Sequence, residues 1–410
     1  MAVRDGGSQL TDRPRLVSSL AVAISLVGLA GSPAPAPAGE SPASPLDPPP
    51  VRAGAAAAPG EAKALAVPDV IRAGARFVYT HSSLVVPDAP RPGAPATADG
   101  GVAQNDIVAV LPDRVLGRQT VYAHDARRDE YLVMSAAGAT VNAADVADGR
   151  ALWTLPRQLA EHPRGEGIEV TPGPFPLNGR DVQAVTVTFR TPTSTTTKAY
   201  DQATGLLLSQ SVGGGPLRDP RVPNNGLNRQ VQTSMRLEAS RVLDLPWLKA
   251  NATSPKWAAD VRRMSYQGSS RMQLGGGPPV AIPVRGSVTF TDRGDGWALG
   301  TVTTVVGDQP PAESAHAQGP ASLDAYWMNP AALEGLTPGV IDRDPFLGIT
   351  VAYEVKDGPL GRLGVFTHAS ARGTQTRTFG YSLRDGALVY FGTARRDTGT
   401  VLEVQLTGRE

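Results

Sequence analysis

Cysteine is missing from all 410 residues. Its absence excludes disulfide scaffolds, thiolate zinc sites and cysteine nucleophiles. Aromatic residues make up only 5% of the chain and charged residues 19%, with 39 Lys and Arg against 38 Asp and Glu for a net charge of +1. So even a balance lacks the basic face or tail that nucleic-acid binding requires, and no nucleic-acid partner is expected. Catalytic signatures are also missing. The histidines His81, His124, His162, His316 and His368 are scattered, and no H-E-x-x-H occurs. No G-x-S-x-G elbow or S-x-x-K motif is present, and the runs Gly213 to Gly215 and Gly275 to Gly277 lack the Lys-Ser/Thr of a phosphate-cradling loop. Asp292-Arg293-Gly294-Asp295-Gly296 places Thr303 where a calcium loop needs a bidentate Glu, so it reads as a hairpin turn. His124 and Asp125 are adjacent and would point to opposite faces of a strand, so they do not form a base pair of the catalytic kind. No metal, cofactor or enzymatic activity is expected.

What the chain does have begins at its N-terminus. Arg4, Arg13 and Arg15 precede an uncharged run from Leu16 to Gly31. Sixteen helical residues span about 24 Å, short of the roughly 30 Å hydrocarbon core. Residues 1–31 therefore read as a signal peptide, with small residues at Ser32, Ala34, Ala36 and Ala38 for cleavage. The alternative is an uncleaved tether through residues 16–31, the only membrane contact expected. Residues 32–65 follow as a disordered linker: 9 Pro and 9 Ala fall within Ser32 to Gly60, a composition suited to a semi-extended polyproline spacer. Pro87 to Gly101 reads as a second Pro- and Ala-rich stretch, an exposed loop inside the folded part. The expected location is the periplasm or the extracellular space.

The folded body reads as two β-rich repeats, residues 66–245 and 255–410. In ALWTLPRQL (Ala151 to Leu159) and AYWMNPAAL (Ala325 to Leu333), Ala, Trp, Pro and Leu recur at a spacing of 174. A Pro in the first turn, with Asn329 as a cap in the second copy, predicts a short helix bearing Trp and Leu on one side. TSTTTKAYDQATGLLL (Thr193 to Leu208) and TQTRTFGYSLRDGALV (Thr374 to Val389) repeat at a spacing of 181, matching Tyr200 to Tyr381 and Gly205 to Gly386. Alternate Thr, then Tyr, a polar loop with Gly and an apolar run predict a β-hairpin. The change in spacing calls for about seven extra residues between the anchors in the second copy, an ordinary loop insertion. Leu347, Ile349, Val351, Tyr353 and Val355 alternate with smaller or polar residues, as do Val185, Val187 and Phe189, giving strands with one buried face. Thr233, Met235 and Leu237 form a weaker match to Leu402, Val404 and Leu406. Helical signal elsewhere is confined to Glu238 to Asn251 and Lys256 to Arg263. The fold class expected is mostly β (α+β): two tandem antiparallel curved-sheet or half-barrel domains, each with a short helix.

A curved antiparallel sheet, a short helix with Trp and the hairpin YDQATGLLL at Tyr200 to Leu208, in an exported chain, together resemble the LolA/LolB-like superfamily of lipoprotein carriers and periplasmic lipid-binding proteins. The resemblance covers Arg72 to Arg241 and Met264 to Glu410, and the duplication departs from a single-domain carrier. It implies half-barrels cupping helices over apolar cavities, with Trp153, Leu159, Trp327 and Leu333 facing them. The alternative for each Trp is a plug in its own core. The first function expected is a non-catalytic module for a lipid or lipoprotein acyl chain. A structural or protein-interaction module that contacts cell-envelope proteins is second, and an enzyme with a dispersed site third.

Overall fold

The computed structural model describes residues 65–87, 97–147, 149–161, 167–191, 194–214, 229–250, 254–273 and 277–410. The N-terminal segment, nearly all of the linker and the residue His162 lie outside them.

The β-branched and alternating segments pair as two open antiparallel sheets. The first begins with a meander of Ala75–Pro87 (β1), Thr97–Val110 (β2), Arg114–Asp125 (β3) and Glu130–Asn142 (β4), followed by the helical turns Ala143–Ala147 (α1) and Pro156–Ala160 (α2). A second meander runs through Ile168–Leu177 (β5), Arg180–Arg190 (β6), Ser194–Asp201 (β7), Leu207–Gly214 (β8) and Arg229–Val242 (β9), and β9 returns to pair with β1. The second sheet repeats the plan. Arg263–Met272 (β10), Val280–Gly294 (β11), Trp297–Val306 (β12) and Ala312–Gln318 (β13) precede the helix Pro330–Glu334 (α3). Then come Gly339–Arg343 (β14), Thr350–Gly358 (β15), Gly361–Ala369 (β16), Gln375–Ser382 (β17), Leu388–Arg395 (β18) and Thr400–Arg409 (β19), with β19 on β10.

Register makes the correspondence residue by residue. Tyr79 and Tyr266 each follow a bulge, and their hydroxyls donate to the carbonyls of Leu207 and Leu388 at 2.9 and 3.0 Å. Tyr200 pairs with Leu207, and Tyr381 with Leu388, again beside a bulge in each sheet. Through β8 and β9, Met235 takes the place of Val404, and Thr233 that of Leu402. The hairpin glycines Gly205 and Gly386 have φ of 71° and 76°, and a Cβ on either would lie 1.9 Å from the carbonyl oxygen of Thr154 or Met328. Both positive φ and close approach therefore require Gly.

Four expectations change. Trp153 and Trp327 precede the helices instead of riding on them, each held by an isolated bridge, to Leu206 and Ala387 respectively. The cause is Pro156 and Pro330, which open the helices and force the residue before each into extended backbone. Asn329 caps α3, its side chain accepting from the Ala331 N–H at 2.9 Å. Second, the residues added between the anchors form the strand β14 and are not a plain loop. Third, Glu238 to Val242 belong to β9, and the expected junction helices shrink to 3-10 turns at Pro246–Ala250 and Lys256–Ala259. β1 captures the former through backbone pairing, and Pro246 and Pro255 stop helix propagation from the other side. Fourth, Thr97 to Gly101 are part of β2, paired with His81 to Val85, so the expected loop does not extend that far.

The sheets pack on each other. One face of β1–β4, carrying Val78, Val102, Tyr122 and Val133, shares a single hydrophobic cluster with Phe366, Phe379, Tyr381, Phe391 and Val404 of the second sheet. At the edge where β4 meets β13, a Cβ on Gly138 would lie 2.2 Å from the Ala317 nitrogen, so only Gly lets the backbones approach. The opposite face of β1 and β2, with Phe77, Tyr79 and Ile107, packs with Val115 of β3 over Trp153 and Leu177 in the first half's own core.

Candidate functional site

Trp153, Leu159, Trp327 and Leu333 are 1%, 2%, 5% and 0% exposed. Trp327 stacks edge-on against Phe290 and Trp257, and its indole N–H donates to Ser254 Oγ at 3.1 Å. Leu159 packs with Val185, Val187, Tyr200 and Leu207, while the carbonyl of Leu333 accepts from the Tyr353 hydroxyl at 2.7 Å. None of the four lines either internal cavity described below. All four sit in packed interior, and the structure does not bring the two Trp-bearing segments together.

What the two inner faces offer differs. In the second sheet Val351, Tyr353, Thr393, Leu402 and Val404 are buried, all but Thr393 within the cluster that the two halves share. Register places Ile168, Val170, Val212, Thr233 and Met235 at the equivalent positions of the first sheet. There they are half-buried, together with Phe189, with Ile168, Val170, Phe189 and Met235 packed at the margin of the cluster of Leu159, Val185, Val187, Tyr200 and Leu207. Lys198 lies on this face too, with its ammonium on the Gly149 carbonyl. The first sheet thus presents an apolar, partly open face with a polar rim, whereas its counterpart is closed.

Between the sheets lies a polar layer that the sequence did not foretell. Arg76 forks onto Asp106 at 2.7 and 2.9 Å and reaches Asp344 at 3.2 Å, and Arg241 grips Asp342 at 2.7 Å through both nitrogens. Asp344 also accepts the backbone N–H groups of Phe346 and Leu347. Burial opposes the charge on Asp344, yet those amides and the two arginines hold its carboxyl below the usual range. Nearby, Asp324 binds Arg118 at 2.6 Å and Arg377 at 3.5 Å. Two cavities of about 40 Å³ each adjoin this group, both lined by Arg118, Asp324 and Arg377. One takes in His316 and Tyr326, the other His368 and Tyr122. Burial, with Arg118 as the next cause, pushes His316 down to about 4; burial, with Arg377 next, pushes His368 down to about 3. Both rings are neutral at pH 7. His316 bonds Gln318 at 3.1 Å, but the buried Nε2 of His368 has no protein partner. Such a volume admits about three waters. It can hold solvent or an ion, and it is an order of magnitude below the roughly 300–1,000 Å³ of a small-molecule site.

Reading the five histidines as scattered missed this convergence of β3, β13, β16, β17 and the segment before α3. Of the others, His124 contacts Asp129 at 3.2 Å, not its neighbour Asp125. Asp295 and Gly296 form the β11–β12 hairpin turn, and Asp292 to Gly294 are the paired end of β11 that leads into it.

No family model and no curated protein matches the chain. Among solved structures, the chain is similar to OccK2 (OpdF) of Pseudomonas aeruginosa at 10% identity, covering 81% of this chain and 96% of that one with a TM-score of 0.10. A BenF-like porin from Pseudomonas fluorescens Pf-5 gives 8% identity, 83% and 99% coverage and a TM-score of 0.09. Likeness at that level carries no argument about fold or activity. Among the described residues no helix is long and apolar enough to cross a membrane.

Proposed function

We propose that the protein is an exported, non-catalytic module of the cell envelope that receives an apolar ligand, a lipid or a lipoprotein acyl chain, on the inner face of its first sheet. The observation that carries this reading is the unequal exposure of equivalent positions. Val351, Tyr353 and Val404 are buried in the cluster that joins the halves, whereas Ile168, Val170 and Met235 are only half-buried. Apolar surface left open on an otherwise filled body is the ordinary mark of an interaction site. Arg4, Arg13 and Arg15 ahead of Leu16 to Gly31 support export. The resemblance of the Tyr200 to Leu208 hairpin to LolA/LolB-like proteins supports a lipid as the ligand.

The test is titration of a fluorescent polyene fatty acid into the purified body. Wild type should bind it, and Val170→Lys with Met235→Lys, both at half-buried positions, should weaken binding about tenfold or more, the equivalent of roughly 1.4 kcal/mol, with the variant's fold checked by circular dichroism. Equal affinity in both would contradict the reading.

A second reading, a structural or protein-interaction module, is favoured by the filled second sheet and the buried ionic layer that joins the halves. Absence of probe binding, together with absence of lipid in the mass spectrum of the purified protein, would favour it over the first.

A further inference from the structure

The ionic layer between the sheets is unevenly charged. Around Arg76 and Arg241 stand three carboxylates, Asp106, Asp342 and Asp344, all engaged by guanidinium groups and one also by backbone amides. Among the described residues Arg118 and Arg377 form ion pairs with one carboxylate, Asp324, and Arg118 takes the short contact with it; Asp106, opposite Arg118 in the ladder, lines one cavity with them but is gripped by Arg76. Arg377 is 6% exposed, its contact with Asp324 is 3.5 Å, its Nε has no partner, and it lines both cavities. Its other neighbour is the face of Phe379, 5.2 Å from the guanidinium carbon. A guanidinium does not shed its proton in a protein, so the positive end of the layer at Arg377 stays charged, balanced only at the other end by the third carboxylate beside Arg76 and Arg241. Water in the cavity can solvate that charge without neutralising it.

We propose that these adjoining cavities bind one small monovalent inorganic anion, held by Arg377 with Arg118 beside it and the neutral His368 ring donating from its otherwise unpartnered Nε2. Both the unpartnered Nε of Arg377 and Nε2 of His368 belong to side chains lining the cavity that also holds Tyr122 and Thr120. Positive potential from Arg118 and Arg377, which helps keep both histidines uncharged, is the same potential that attracts an anion. Room for about three waters suits chloride, bromide or nitrate and excludes a bulky organic anion such as gluconate. Since residues from both halves build the site, an anion there ties the two sheets together, and its binding is linked to the stability of their interface. The apolar face proposed above is carried by β5 to β9 of the first sheet, and none of its residues lines either cavity, so the two proposals stand independently.

Chloride is the probe. The full folded chain is exchanged into sodium gluconate and then titrated with sodium chloride at constant ionic strength, following the thermal midpoint and the ³⁵Cl NMR linewidth. Chloride should raise the midpoint by at least about 2 °C, and should show excess line broadening that bromide or nitrate displaces. Arg377→Gln should abolish both effects. Asp324→Asn removes the carboxylate paired with both Arg118 and Arg377 and should tighten chloride binding by about tenfold or more. Wild type that shows no chloride-specific shift and no displaceable broadening overturns the proposal, whatever the variants do. So does a chloride response that survives unchanged in Arg377→Gln. If that variant does not fold, looser binding in Asp324→Asn than in wild type overturns it instead.

Discussion

Truncating Trp327 to Ala should cost about 3–5 kcal/mol of stability, because the indole fills interior space between Phe290 and Trp257 and its N–H satisfies Ser254. Urea unfolding followed by circular dichroism measures it, and a loss below about 1 kcal/mol would mean that Trp327 borders open space after all. His316 supplies a second expectation at this scale. Its folded pKa of about 4 lies below the ordinary 6.5, so its contribution is fully present above pH 6.5 and is lost as pH falls toward 4. At pH 5 the loss is about 2 kcal/mol from this ring alone, and the lowered pKa of His368 acts in the same direction. Unfolding free energies at pH 7 and pH 5 should show this drop, with a smaller one in His316→Gln. Single residues were legible where they were large, rare and repeated, as with Trp153, Trp327, Tyr200 and Tyr381. Arg118, Asp324, Arg377, His316 and His368 were not, because each sits in a different segment and alternation along a strand does not say which face another sheet will cover.

Among the elements, the two hairpins were the clearest in sequence, since alternate Thr, a turn and an apolar run impose period two on both sides of a Gly. Their glycines give the sharpest test. Gly386→Ala should destabilise by roughly 2–4 kcal/mol, combining a φ of 76° with a Cβ placed against the Met328 carbonyl. By contrast Gly358→Ala, whose Cβ meets nothing within 4 Å, should stay within about 1 kcal/mol of wild type. Thermal denaturation of the pair separates the two, and equal midpoints would contradict the hairpin account. The junction elements were misread because Glu238 to Val242 carry helix-compatible side chains, yet β1 offers them a full ladder of backbone partners. Tertiary pairing outweighs a weak local propensity there. The strand β14 had no counterpart from which to be inferred.

For the whole molecule, one plan used twice does not yield two equal surfaces. The face of β1–β4 that enters the second sheet carries Val78, Val102 and Tyr122, whereas register puts Ser265, Arg285 and Val305 at those places in the second. With Ser287, Thr289, Thr301 and Thr303 where the entering face has Gln104, Asp106, Arg118 and Thr120, that surface lacks the ion-pairing Asp106 and Arg118 and two of the apolar side chains by which the first half enters the second sheet. Loss of those groups opposes end-to-end growth, which a repeated head-to-tail contact otherwise invites. The sequence showed two similar β-rich halves, but the packing of one on the other depends on contacts hundreds of residues apart, such as Glu130 with Ser370 at 2.7 Å. The central claim is that the first inner face is open to an apolar ligand while the second is shut. A fatty acid carrying a photoreactive diazirine, irradiated with the purified protein and mapped by peptide mass spectrometry, tests it most directly. Crosslinks should fall on Ile168, Val170, Phe189 and Met235 and spare Val351, Tyr353 and Val404; crosslinks shared equally between the two sets, or confined to the second, would contradict it.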